Sequence, residues 1–248
     1  MGPAALEIGK LTKTFGGVLA VDGVSMRVPV GQRHALIGPN GAGKTTLFNC
    51  IAGTLAPSAG QVLLFGHDVT ALAEPQRAAL GLARTYQITN LFPGLTALEN
   101  VLLAAQGTTR QKWVLHRPVA AFPDTLKAAA AALGRVGLGP RAPEPVQRLS
   151  YGERRQLEFA LALACRPRTL LLDEPTAGLS PADREGIVKT IAQVPRDITV
   201  LLIEHNMDVV LELADMITVL HNGRVVVEGT PDEVRANPQA REVYLGAA

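Results

Sequence analysis

Eight consecutive residues, Gly38-Pro39-Asn40-Gly41-Ala42-Gly43-Lys44-Thr45, fit the pattern G-x-x-x-x-G-K-[ST] without a departure. The residue types suit phosphate binding. Glycines let the backbone wrap so that its N–H groups point at phosphate oxygens. A helix that starts at the end of the loop adds the positive end of its dipole. Lys44 supplies a cation to the outer phosphates, and the Thr45 hydroxyl can ligate Mg²⁺. A Gly-rich turn that binds nothing is the bland alternative. A strand pattern before the loop and a helical pattern after it argue against that. By itself the loop indicates a nucleotide and leaves kinase, GTPase, motor and transporter open. A second element adds acid chemistry. Thr169-Leu170-Leu171-Leu172-Asp173-Glu174 reads as an apolar strand ending in carboxylates. Asp173 would stand beside the Mg²⁺ water shell. Glu174, one residue further, could polarise an attacking water as a general base, a role worth about 10²–10⁴-fold in rate. Two solvated acids at a strand end are common, so this pair draws its weight from the loop.

These groups need a scaffold, and the pattern around them is α/β. Short apolar strands alternate with helical patterns for most of the length. Residues 34–38 read as a strand entering the Gly-rich turn, followed by a helix over 44–52. Residues 61–65 read as another strand, and 169–173 and 199–204 as buried parallel strands. Residues 216–220 and 224–227, joined by Asn222-Gly223, read as a hairpin. Strand signals stop between about residues 88 and 166, where helical patterns such as 126–136 and 152–164 form an inserted helical subdomain. Helix starts are written at Ser180-Pro181-Ala182-Asp183 and Thr230-Pro231-Asp232-Glu233. Residues 106–123, with Arg110, Lys112, Trp113, His116 and Arg117, are the least legible. A solvated variable loop is the plainer reading there; a contact with a partner protein or lipid headgroups is the sharper one.

Composition sets outer limits. The 248 residues, 47% of them hydrophobic, can build a real core and argue against disorder. A net charge of +2 gives no reason to expect a nucleic-acid partner. No apolar run reaches the about 20 residues of a membrane span, and the start has no secretory pattern. Cys50 and Cys165 match no metal spacing and read as small buried hydrophobes in a reducing cytosol. The expectation is a soluble, intracellular, globular chain.

A third element specifies the class. Leu149-Ser150-Tyr151-Gly152-Glu153 precedes a long amphipathic helix and ends 20 residues before Asp173. It resembles the signature motif of ABC-type ATPases, whose common form is L-S-G-G-Q. Gln87 resembles their Q-loop glutamine, 177–180 lies at the D-loop position, and His205 resembles the switch histidine. Phe15 resembles the aromatic that stacks on adenine. The order and spacing hold along essentially the whole chain. Ser150-x-x-Glu153 is also a capping box, so these residues can start a helix and serve an anion at the same helix end. Tyr151 and Glu153 depart from the common signature, and Ser180 replaces the usual D-loop Asp. L-S-Y-G-E, Ala83-Arg84-Thr85-Tyr86-Gln87, Ile203-Glu204-His205-Asn206-Met207-Asp208 and the tail around 228–246 look like the larger ATPase subunit of branched-chain amino acid importers. Urea, amide and aromatic-acid importers share a similar cassette.

The resemblance implies a P-loop NTPase fold with an antiparallel β subdomain and an inserted helical subdomain. One ABC domain would fill residues 1–248: 1–87 and 167–229 as catalytic core, 88–166 as helical subdomain, 230–248 as a C-terminal helix. It implies ATP held by Phe15, residues 38–46 including Thr46, and Ser150 and Gly152. Mg²⁺ would be held by Thr45, Gln87 and Asp173, with Glu174, His205 and Gln87 catalytic. It implies two integral-membrane permease subunits, a second ABC ATPase in a homo- or heterodimer, and a solute-binding protein acting indirectly. Nucleic acid is not an implied partner, and the chain would lie on the cytoplasmic face of the inner membrane. A soluble ABC protein acting on DNA or the ribosome usually carries a coiled-coil insertion or two cassettes, which this chain lacks. A P-loop kinase would leave the signature, Gln87 and His205 unexplained.

Overall fold

The computed structural model describes residues 3–85, 91–107 and 122–245. The chain divides into two compact units. The first holds residues 1–82, 168–174 and 195–248, and the second 83–167 and 175–194.

In the first unit, β1 (Ala4–Phe15) and β2 (Val18–Pro29) form a long antiparallel pair, Leu6 opposite Val28 and Phe15 opposite Val18. Alternation decides which side is buried: Leu6, Ile8 and Leu11 of β1 and Val24, Met26 and Val28 of β2 point into one core. After β3 (Arg33–Ile37) and α1 (Lys44–Ala52), β4 (Ala59–Leu64) and β5 (His67–Asp68) complete a four-stranded sheet of order β2-β1-β4-β5. Leu47, Phe48 and Ile51 of α1 join that core. The short helix α2 (Glu74–Ala79) follows.

A second sheet is built around β3. Its order is β10-β9-β3-β8-β7-β6, with β6 (Leu82–Arg84), β7 (Thr169–Asp173), β8 (Thr199–Ile203), β9 (Met216–His221) and β10 (Arg224–Gly229). β3 pairs in parallel with both β8 and β9, and β7 with β8, while β9 and β10 are antiparallel. Every residue of β3, β7 and β8 is buried, as strands covered on both faces require. Ligands of such sheets gather at the carboxyl ends of strands where the winding order switches. β3 sits at such a point, between strands that follow it much later in the chain.

In the second unit, α3 (Ala97–Gly107), α4 (Pro123–Arg135) and α5 (Tyr151–Ala164) pack on one another, and α6 (Pro181–Ala192) packs on α5. Thr96 and Glu99 form a reciprocal cap at the start of α3. Arg155 and Glu158 form a buried pair at 2.7 Å within α5.

Several sequence boundaries move. The strand expected over 61–65 starts at Ala59 and stops at Leu64, because Phe65 turns at φ +49°. The helix expected from 126 starts at Pro123, whose fixed φ suits the first helical position. The segment 230–248, expected as one helix, holds α8 (Pro231–Ala236) and α9 (Pro238–Leu245). Pro238 forces the preceding Asn237 out of helical geometry, at ψ 124°. Cys50 is buried as expected, but Cys165 is only half-buried, its thiol pointing at the carbonyls of Leu161 and Ala104. Most of the segment 106–123 lies outside the described residues.

Candidate nucleotide site

The site begins where buried β3 ends. Gly38 (φ +153°) takes the chain past β9, and a Cβ there would overlap the Leu220 carbonyl oxygen. Gly43 (φ +97°) ends the loop against the Ala20 carbonyl, with the same consequence. The two close approaches explain why glycine stands at these two ends of the motif. The loop is braced by Ala42 N–H to Pro39 O (3.2 Å) and Gly223 N–H to Ala42 O (3.0 Å). α1 then starts with no side-chain cap and no acid in its first turn. Its first-turn N–H groups and positive dipole end are therefore left to an anion.

Lys44 is 6% exposed. Its ammonium donates to Gly38 O at 2.7 Å and Pro39 O at 2.9 Å, folding back over the loop. Burial lowers its pKa, while the nearby Glu174 and Asp173 carboxylates push it back up. Those acids arrive on β7. Asp173, the last residue of the strand, is buried opposite Ile203. Glu174 turns out of the sheet at φ +48°, its N–H donating to Ile203 O at 3.0 Å. His205 leaves β8 just beyond, ahead of Asn206, which caps α7 (Met207–Leu213). His205 Nε2 lies 2.7 Å from Glu174 Oε1. An open cleft is lined by Ala20, residues 40–46, Glu174 and His205.

The residues singled out in sequence thus fall into five groups. Asn40, Gly41, Ala42, Gly43, Lys44, Thr45, Thr46, Glu174 and His205 share the cleft, with Gly38 and Pro39 at its entry and Asp173 close enough to act on Lys44. Phe15, at the end of β1, is 47% exposed, with the Lys13 ammonium 5.1 Å from its ring centroid; it does not line this cleft. Ser150 and Gly152 lie at the start of α5 in the second unit. There the Ser150 hydroxyl accepts from Glu153 N–H (3.2 Å), and the Glu153 carboxylate accepts from Ser150 N–H (2.8 Å). Gln87 lies outside the described residues. Ser180 caps α6 and donates to Asp183 Oδ2 at 2.6 Å. Sequence reasoning missed Ala20 in the cleft lining; an alanine in a β-strand carries no signal of that role.

The donor set fits a nucleotide with a hard cation. Among the described residues no cluster of three or more His, Cys, Asp or Glu side chains could cage a metal. Thr45 and Asp173 instead offer single oxygen donors, as Mg²⁺ takes when phosphates supply the rest. A glycine-built cradle, an uncapped helix end and a lysine receive the phosphates.

Comparison with known proteins agrees. The profile of the ABC transporter family matches residues 21–177, and that of the branched-chain amino acid ATP-binding cassette transporters matches 224–248. The high-affinity branched-chain amino acid transport ATP-binding protein BraF of Pseudomonas aeruginosa is 39% identical over 255 residues, covering 100% of both chains. The corresponding Escherichia coli K12 protein, LivG, is 37% identical with the same coverage. A crystal structure of the ADP conformation of an ATP-binding cassette of an ABC transporter superposes with a TM-score of 0.86 at 30% identity, covering 98% of this chain and 99% of that one. A dimeric cassette bound to ADP and Pi gives a TM-score of 0.78 at 25% identity, covering 91% and 98%. A phosphate loop in the expected context, an acid–histidine pair at its rim and full-length relatives converge on one conclusion: the chain belongs to the ABC transporter family and is one of its ATP-hydrolysing cassettes.

Proposed function

We propose that this cassette drives an importer for branched-chain amino acids. The observation that carries the hydrolytic part is the Glu174 carboxylate, hydrogen-bonded to His205 at 2.7 Å on the rim of the phosphate cradle. The transported class rests on the relatives that match over their whole length.

In this reading the loop N–H groups and Lys44 hold the phosphates, Lys44 giving up its carbonyl contacts to do so. Thr45, Asp173 and Gln87 hold Mg²⁺, which when bound would offset phosphate charge. Glu174 takes a proton from the attacking water while the water oxygen displaces ADP at the outer phosphorus. His205 orients Glu174 through its hydrogen bond. Phe15 stacks on adenine. Ser150 and Gly152 face the nucleotide held by a second cassette, so two cassettes close on two ATP molecules. We read residues 1–248 as one such domain, with 1–87 and 167–229 as core, 88–166 as the helical part and 230–248 as the C-terminal part. The partners are two membrane permease subunits and a second ATPase, with the chain at the cytoplasmic face of the membrane and a solute-binding protein acting from the far side.

Reconstitution tests the importer reading. The chain is placed in proteoliposomes with two permease subunits and a second ATPase of a branched-chain amino acid importer, and a solute-binding protein is added. Leucine-loaded binding protein raises ATP hydrolysis if the reading is right. Stimulation by urea or an aromatic acid instead of leucine would reassign the substrate, and no stimulation by any of them would remove the importer function.

A further inference from the structure

Arg77 is 1% exposed, a guanidinium sealed inside the first unit. It donates four hydrogen bonds to main-chain carbonyls. Nη1 reaches Cys50 O and Ile51 O, each at 2.7 Å, Nε reaches Leu72 O at 2.8 Å, and Nη2 reaches Thr70 O at 3.1 Å. Cys50 and Ile51 belong to the last turn of α1, the helix whose first turn faces the phosphate cradle. The last carbonyls of a helix have no partners within it and carry the negative end of its dipole. α1 has no basic residue of its own in that turn; Arg77 brings one from α2. Gly53, at φ +87°, makes the room: a Cβ there would meet Arg77 Nε at 2.7 Å. A planar fork with five donors can hold four carbonyls on two separate stretches of chain at once, more than the three donors of an ammonium can reach.

The placement is costly if packing were its only purpose, since a buried cation loses its hydration. Burial lowers the Arg77 pKa accordingly. α1 is nine residues long, about 13 Å at the usual rise. The guanidinium and the phosphate cradle therefore stand at opposite poles of one short dipole. A cation at the negative pole offsets the repulsion that this end exerts on a bound anion, and the four bonds fix the axis along which the first turn points.

We propose that Arg77 is a positioning residue for nucleotide binding: it clamps and neutralises the C-terminal end of α1 so that residues 41–46 hold phosphate. This rests on the reading of those residues as the cradle. The test titrates ATP into the full chain and into Arg77→Gln, Arg77→Met and Arg77→Lys, below the unfolding temperature of each. Folded Arg77→Gln and Arg77→Met bind ATP about tenfold more weakly, with kcat at saturation within about twofold of the parent, because the residue acts on binding and touches no reacting atom. Arg77→Lys, which keeps the charge and loses carbonyl contacts, falls between. Hydrogen exchange of the α1 amides speeds up in all three. A purely structural arginine would lower the melting temperature and leave the affinity of the folded protein unchanged; that result overturns the proposal, as does a fall in kcat at unchanged affinity. If neither neutral variant folds, Arg77→Lys decides, and parental affinity there overturns the proposal. A parent chain that does not bind ATP would instead sink the cradle reading itself.

Discussion

Glu174 carries its backbone at φ +48°, in the left-handed region. A residue with a Cβ occupies that region at a cost of roughly 1–2 kcal/mol, and such strain gathers where a side chain must be aimed. Here the N–H donated to Ile203 O turns the chain sharply after Asp173, so one acid stays buried at the strand end while the next swings to His205. A stability consequence follows. Glu174→Gly removes both the strain and the base, so the variant melts higher and hydrolyses nothing measurable. For a chain of this size each kcal/mol relieved raises the midpoint by about 2–4 °C. Calorimetry beside a phosphate-release assay checks both halves, and a lower melting temperature would show that the turn is unstrained or that the His205 contact outweighs it. The identity and spacing of Asp173, Glu174 and His205 were legible in the sequence. Their divergence at one strand end was not, because main-chain geometry and a hydrogen bond to a neighbouring strand produce it.

At the scale of elements, local chemistry was the most legible. Ser150, Ser180 and Thr230 each cap the helix that their sequence announces, accepting from the N–H three residues on. Periodicity located the buried strands around the site. It failed at ends where one residue's backbone decides, as at Phe65, and it could not foresee Arg77, whose partners are carbonyls that every residue possesses. His34 is a second example. It sits on β3, fully buried, with Nε2 2.7 Å from the Thr218 hydroxyl of β9, which donates to Glu228 of β10 at 2.9 Å. Burial pushes its pKa down from 6.5 to about 4. Above about pH 6.5 the ring is neutral in the folded and the unfolded chain alike. Between that pH and about 4 the unfolded chain binds a proton that the folded chain refuses, so acid destabilises, by roughly 3 kcal/mol at the lower limit. Denaturation at pH 7 and pH 4 should show a smaller loss in His34→Gln than in the parent. An equal loss would mean that the ring titrates normally in the folded chain.

At the scale of the whole molecule, the chain is an ATP-hydrolysing cassette of the ABC transporter family. No helix among the described residues is long and apolar enough to cross a membrane, and the relatives are ATP-binding proteins of transport systems. The cradle and its acid–histidine pair belong to one unit, and the signature residues Ser150 and Gly152 to the other. In the proposed cycle each unit serves a different nucleotide of a closed pair. The central claim is that Glu174, oriented by His205 over the phosphate loop, is the base that drives hydrolysis. Its most direct test measures steady-state phosphate release and ATP binding side by side in the parent and in Glu174→Gln. The account predicts ATP binding within about twofold of the parent and hydrolysis reduced by about 10²-fold or more. Hydrolysis at the parent's rate in that variant would contradict it.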